Sequence, residues 1–469
     1  MGAVSERAVP SYNLRYVWLI SLVAAMGGLL FGYDWVVIGG AKPFFEPFFN
    51  LTRESLRGWA NSCALLGCLA GAVLSGGLSD RFGRRRLLIA AALLFAMSSV
   101  LTGWASSFDW FVAFRILGGV AIGMASNLSP MYIAEVAPAH IRGRLVSTNQ
   151  LTIVIGILSA QIVNWTIARA VPNGATAEFI RQSWFGQYAW RWMFTAVAAP
   201  SLLFLAGSLL IPESPRWLIK NGRPDRARRV LARIGGPAFA DNEVRDIQST
   251  LSRQEIQRVR FQDLLEPKMR KILLVGVTLA VLQQWSGINV IFNYAEEIFR
   301  EAGYGVSSIM FNIVITGAVN LLFTLIAIQT VDRFGRRALM LLGCAGIGFF
   351  HALIGLGYLL HLKGPAVVGP VLATLACYGF SLAPITWVLI SEIFPNRIRG
   401  AAVSVSTSAL WIACFILTYT FPLLNGALGP AKTFWLYALI CAAGCVFIFR
   451  RVPETKGKTL EEIERELVD

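Results

Sequence analysis

Twelve runs of mainly apolar residues divide the chain, at about 16–40, 56–79, 86–106, 109–132, 144–168 and 191–211, then 271–299, 308–331, 338–360, 366–391, 400–424 and 433–451. A helix needs roughly 20 apolar residues to cross a hydrocarbon core of about 30 Å, so each run predicts one membrane span. Between the sixth and seventh runs the pattern inverts. Residues 212–270 are polar and basic, are broken at Pro224, Gly235-Gly236 and Pro237, and carry charge at helical spacing over 225–234 and 241–257. Short helices outside the membrane are expected there. Another is expected over 459–467, where Thr459 can cap and Glu461 and Glu462 fall in the first turn. The predicted fold is an all-α membrane protein, divided as 1–211, a helical linker at 212–270, 271–452, and a terminal helix within 453–469.

The second set of six runs repeats the punctuation of the first. Asp80-Arg81-Phe82-Gly83-Arg84-Arg85 returns as Asp332-Arg333-Phe334-Gly335-Arg336-Arg337, and Glu135…Pro138…Arg142-Gly143 returns as Glu392…Pro395…Arg399-Gly400. Pro212-Glu213-Ser214 returns as Pro453-Glu454-Thr455. Two homologous membrane halves follow, the architecture of carriers that rock about a central site.

Composition agrees, with 55% hydrophobic and 15% charged residues. The net charge of +15 does not point to nucleic acid, because the basic residues lie between apolar runs rather than clustered on one presentable face. Of 42 Lys and Arg, 32 fall in the two ends and alternate connections, nine in the opposite connections, and Arg115 inside a run. Positive charge is retained on the cytoplasmic side, so both ends and the central linker are expected there. The seven cysteines lie in apolar runs with no CxxC or Cys/His spacing and read as buried thiols. The first run is longer than a signal-peptide core of about 7–15 residues and is expected to stay as a span. Much of the glycine lies within runs, where small residues let helices approach closely.

Each Asp-Arg-Phe-Gly-Arg-Arg reads as a tight turn between helices, with glycine freeing the backbone. Asp80, Arg81, Arg84, Arg85, Glu135, Arg142, Glu213 and Arg216, with Asp332, Arg333, Arg336, Arg337, Glu392, Arg399 and Glu454, form two matched charge sets. They are expected to clamp the halves together when that side is closed and to separate when it opens. Orientation and solubility alone are the plainer reading.

The chain resembles the sugar porter family of the major facilitator superfamily through GGLLFGYD (27–34), DRFGRR (80–85), SPMYIAEVAPAHIRG (129–143), PESPRWL (212–218), QQWSGIN (283–289), NLLFTLIAIQTVDRFGRR (320–337), WVLISEIFPNRIRG (387–400) and VPETKGKTLEE (452–462). The resemblance implies twelve helices, alternating access and a monosaccharide site at mid-membrane. It also matches Gln150, Gln283, Gln284, Asn289, Asn320 and Trp387 to sugar-contact positions, and Asp34 with Arg115 to the proton-linked aspartate and its partner.

The residue chemistry runs parallel. Amides are costly in hydrocarbon unless they face a cavity or a partner. The seventh run carries Gln283, Gln284, Asn289 and Asn293 around Ser286-Gly287, where unwinding is expected; the fifth carries Gln150 and Gln161, and the eighth Asn320. Each amide both donates and accepts, which suits a neutral polyol. Trp387 and Trp411 can cover the apolar face of a sugar ring, and Phe31 can help close the cavity. Interhelical bonding remains open for Gln161 and Asn293, and packing for Trp411.

Asp34 and Arg115 are the clearest ionisable residues at membrane depth, where an isolated charge costs at least about 2.5–3.5 kcal/mol, so they are expected to pair. A carboxylate whose hold on a proton differs between two conformations couples proton flow to their exchange. A fixed ion pair in a facilitative uniporter is the alternative, and a membrane sugar sensor a more distant one. Three positions depart from a proton-linked relative in the family: Asn293 replaces a site tyrosine, Leu410 a site glutamine and Val197 a glutamate near the pair. The first two put the identity of the sugar in question. An enzyme is opposed by the presence of only three histidines (140, 351 and 361) and no nucleophile–base motif. The expected partners are a monosaccharide and the bilayer, with no nucleic acid, no cofactor beyond the proton, and one copy of the chain as the working unit.

Overall fold

The computed structural model describes residues 12–172, 175–256, 266–394 and 398–456, and among these every regular element is a helix. Twelve helices are long and apolar enough to cross a membrane: α1 (Leu14–Phe48), α2 (Glu54–Phe82), α3 (Arg84–Gly103), α4 (Phe108–Val136), α5 (Ala139–Ala168), α6 (Phe185–Leu210), α7 (Met269–Asn293), α8 (Val306–Thr330), α9 (Arg336–Leu359), α10 (Pro365–Ile390), α11 (Ala401–Leu428) and α12 (Pro430–Arg451). The expected runs overlap these spans one for one, and the differences sit at their ends.

α1 continues past the expected end at 40 to Phe48, carrying Lys42 inside the helix rather than in a connection. α6 begins early, because Phe185–Ala189 forms a π-helical turn before the expected start at 191. α7 is made in pieces, Pro267–Trp285 and Ile288–Asn293, joined through Ser286 and a Gly287 at φ 85°. Glycine reaches that left-handed backbone without a Cβ clash, which is why the unwinding falls there. α10 is likewise interrupted at Ser381, between Pro365–Phe380 and Leu382–Glu392.

In lipid, helices associate through close packing of small residues. Gly119 and Gly123 of α4 lie so near the Ala64 and Cys68 backbone of α2 that a Cβ at either would strike it. The halves meet where α2 packs on α11 and α5 on α8. The seven cysteines are free thiols, five buried and two (Cys377 and Cys445) half-buried.

The linker forms Pro215–Lys220 and Pro224–Ile256, the latter kinked at Gly235-Gly236 as expected. It is tied to the first half, since Trp217 Nε1 donates to the Asp80 carbonyl at 2.9 Å and Asn13 N to the Ile234 carbonyl at 2.8 Å. Residue 257, the helix expected over 459–467 with Thr459, Glu461 and Glu462, and the side chains of Asp332, Arg333 and Arg399 lie outside the described residues.

Candidate substrate and coupling site

Asp34 and Arg115 meet inside the first half. Arg115 Nη1 donates to both Asp34 oxygens, at 3.0 and 3.1 Å. The two residues are 4% and 3% exposed, deep enough that neither charge is tolerable without the other. The Phe194 ring of α6 lies 5.3 Å from the guanidinium. Val197, which replaces a glutamate of the proton-linked relative, is buried and supplies no second carboxylate to the pair.

The break in α7 gathers the amides. Asn289 Nδ2 donates to Gln284 Oε1, Gln284 Nε2 to Gln283 Oε1 at 3.1 Å, and Gln283 Nε2 to the Leu382 carbonyl at 3.0 Å beside the α10 interruption. Asn289 also reaches Cys414 Sγ of α11 at 3.3 Å. The carbonyl of Ser286, freed by the broken helix, accepts from His351 Nε2 of α9 at 2.8 Å. Because Nε2 carries the proton, Nδ1 holds a lone pair, and no protein donor meets it. His351 is thus a prop for the break, a role its isolated position in the sequence did not suggest.

The other sequence candidates divide. Phe31 and Trp411 lie 5.9 Å apart across the halves, and Trp35 completes a triangle with them at 5.9 and 6.0 Å. Trp35 was not anticipated; it follows Asp34 and reads as ordinary span composition. Asn320 is buried with Oδ1 unpartnered, and Gln150 is half-buried on α5. Trp387 is 39% exposed on α10. Gln161 donates to Thr316 of α8 at 3.3 Å, an interhelical bond between the halves. Asn293 is buried near Arg115 and shares a small cavity with it.

At the end bearing the basic turns, the pairs seen among the described residues of the charge motifs lie within one half or tie it to the linker. Arg84 binds Glu135 at 3.0 Å and Asp80 at 3.2 Å, and Lys220 binds Asp80 at 2.7 Å. Arg336 lies 3.7 Å from Glu392, which also accepts from Thr455 at 2.6 Å. Glu135 therefore pairs with Arg84, while Arg142 stands exposed at the start of the long part of α5. Arg81 lies over Phe82 and is exposed; Arg216 is half-buried on the linker helix.

The two repeated glutamates are helix caps. Glu213 Oε1 accepts from the backbone of Arg84, Arg85 and Ser214 at 2.9, 3.1 and 2.9 Å. Glu454 does the same for Arg336, Arg337 and Lys456 at 2.9, 3.1 and 3.0 Å. Burial would raise the Glu454 carboxyl, but these backbone donors outweigh it and hold it below its ordinary value. A carboxylate at a helix N-terminus satisfies orphan N–H groups and the positive dipole end. The motif glycines, at φ 95° and 89°, leave the space those carboxylates occupy. Arg85 and Arg337 donate to carbonyls near the ends of α6 and α12.

The opposite end holds an ion cluster that the sequence reading missed. Lys42, 1% exposed, bonds Glu297 across the halves and lies 3.8 Å from Glu46, with the Tyr294 ring 3.9 Å beneath its ammonium. Arg57 reaches Glu46 at 3.5 Å, and Arg300 binds Glu296 at 3.0 Å. Burial, then the neighbouring Glu297 charge, pushes the Glu296 carboxyl up to about 7 against the pull of Arg300 and Lys42. The signal available was weak: Phe44, Phe45 and Phe48 continue the apolar pattern beyond Lys42.

Two packed sets of six spans, with an ion pair buried in one and an amide chain at a helix break in the other, define a membrane carrier for a small polar solute. The chain belongs to the sugar transporter family: the family described as sugar (and other) transporter matches residues 20–467. It is 38% identical to the D-xylose-proton symporter of Escherichia coli (strain K12), over 97% of this chain and 96% of that one. It is 41% identical to the glucose transport protein of Synechocystis sp., covering 99% of this chain and 100% of that protein. The inward open conformation of the xylose transporter XylE from E. coli superimposes with a TM-score of 0.84 at 37% identity, covering 96% of this chain and 99% of that one.

Proposed function

We propose that this protein imports a monosaccharide, a pentose or hexose, by proton symport through alternating access. The observation that carries the reading is the buried contact of Arg115 with both Asp34 oxygens at 3.0 and 3.1 Å. When the pair separates, the carboxylate loses the cation that favours its charged form and is free to accept a proton; when it re-forms, the proton is given up. A carrier whose states differ in proton content must move protons as it exchanges them.

Sugar is bound by Gln150, Gln283, Gln284, Asn289 and Asn320, with Phe31, Trp387 and Trp411 against its apolar face. In this conformation Gln283, Gln284 and Asn289 satisfy one another, which keeps their amides supported until hydroxyls replace those bonds. Asn293 and Gln161 contribute less directly, through the coupling pair and the α5–α8 contact. The charge sets brace each half at the basic end, where the cytoplasmic gate forms, and the Lys42 cluster joins the halves at the other end. By the bias of positive charge the basic end and both termini are cytoplasmic, in an inner membrane. The two halves, divided near 1–211 and 271–452, act as one transport unit in a single chain.

Facilitative uniport is the second reading, favoured by Val197, which leaves Asp34 without a companion acid. Purified protein in liposomes, offered pentoses and hexoses while internal pH is recorded, separates the two. Symport acidifies the lumen as sugar enters. Asp34→Asn is expected to lower uphill accumulation at least tenfold while sugar counterflow persists; accumulation at the wild-type level would remove Asp34 from the mechanism.

A further inference from the structure

Arg115 uses Nη1 on Asp34, but its Nε, buried, has no protein partner. Two more buried polar atoms are in the same position, Asn61 Oδ1 of α2 and Asn293 Oδ1 of α7. Asn61 Nδ2 already donates to the Arg57 carbonyl at 2.9 Å, which fixes the amide and directs its oxygen elsewhere. Arg115, Asn61 and Asn293 are 3%, 4% and 3% exposed, and all three line one cavity of about 10 Å³, walled otherwise by Trp35 and small or aliphatic side chains.

A buried polar group without a partner is costly, and a space of this size accommodates one water given two to four polar contacts. The atoms present match a water: it accepts from Arg115 Nε and donates to the two amide oxygens. A metal cation or hydronium would meet the guanidinium's charge directly, so a neutral occupant is selected. We propose that the cavity is a site for one ordered water joining Arg115 to Asn293 and Asn61, and that these two asparagines are positioning residues for the coupling pair. This rests on the proposed role of Asp34 and Arg115.

Asn293 ends the short helix Ile288–Asn293, which also carries Asn289 of the amide chain. Displacement of that helix when sugar displaces the amide bonds removes one partner of the water. Sugar occupancy is thereby transmitted to the guanidinium that holds Asp34. Other titratable groups close to the pair are the Tyr33 hydroxyl of α1 and the Cys63 and Cys68 thiols of α2.

An experimental structure at a resolution that shows waters tests the site directly. Density is expected within hydrogen-bond distance of Arg115 Nε and both amide oxygens; a dry cavity, or Asn293 bonded directly to Arg115, would overturn the proposal. In liposomes, Asn61→Leu is expected to keep sugar counterflow within about twofold while shifting the midpoint of the pH profile of uptake by half a unit or more. Asn61→Ser, small enough to admit a second water, is expected to restore part of that shift. Asn293→Leu should move the midpoint in the same direction, and the double variant no further than the larger single shift. Unchanged profiles, or strictly additive shifts, would sink the shared water. If the wild type moves sugar with no proton, the coupling reading fails, and the crystallographic water still decides whether the site exists.

Discussion

The two ends of the bundle use the same side-chain chemistry for opposite purposes. At the basic end, Arg84–Glu135 and Arg336–Glu392 stay within their own halves, and Glu213 and Glu454 cap the first turns of α3 and α9. At the other end, Lys42 reaches from α1 to Glu297 in the second half. Charges that shape each half are thus distinguishable from charges that join them. Of the pairs at the two ends, those that join the halves hold one conformation against the other directly, because they lose their partner as soon as the halves part.

The sharpest way to break this contrast is at Lys42. Lys42→Ala leaves Glu297 and Glu46 facing each other without their buried cation, a change of about 3–5 kcal/mol for a buried pair. The expected outcome is a population open at that end and transport reduced at least tenfold, read from spin-label distances between the halves and from uptake. Lys42→Ala with Glu297→Ala together should recover part of the loss. Glu213→Ala is the counterpart at the basic end. It deprives three N–H groups of their acceptor and should cost about 1–2 kcal/mol, comparable to a lost helix cap. Thermal unfolding should report that loss while inter-half distances stay as they were; a change in those distances would erase the distinction between the ends.

The smallest effect is set by pH. Glu296 has its carboxyl raised to about 7 where it is buried with Glu297, Arg300, Lys42 and Glu46, against an ordinary value of 4.5 when hydrated. Closing this end therefore binds a proton. The stabilisation is fully present below about 4.5 and is lost as pH rises through about 7. Spin-label distances should show this end more closed at pH 5 than at pH 8, and Glu296→Gln should flatten that dependence.

Much of the fold was legible because a bilayer imposes length and apolarity on every span, and because the turns were written twice. Asp34 and Arg115 stood out for the same reason, as charges where charge is costly. Lys42 did not, since a lysine after an apolar run looks like the start of a connection, and its partner Glu297 lies in the other half. The capping by Glu213 and Glu454 was not legible for a local reason: spacing reveals a repeated carboxylate but not the helix end it faces. His351 and Trp35 became meaningful only when packing set one against a freed carbonyl and the other against Trp411. Sequence periodicity reports which face of a helix is apolar, and it carries no record of what a distant segment presents to that face.

The interruption at Gly287 leaves Ile288–Asn293 as a piece of fewer than two turns, and all six of its residues are buried. Lipid touches none of them, so this segment can pivot without stretching, thinning or tilting against the surrounding acyl chains. That local movement is then insulated from hydrocarbon thickness, and bilayers of different chain length should act on turnover only through the movement of the halves.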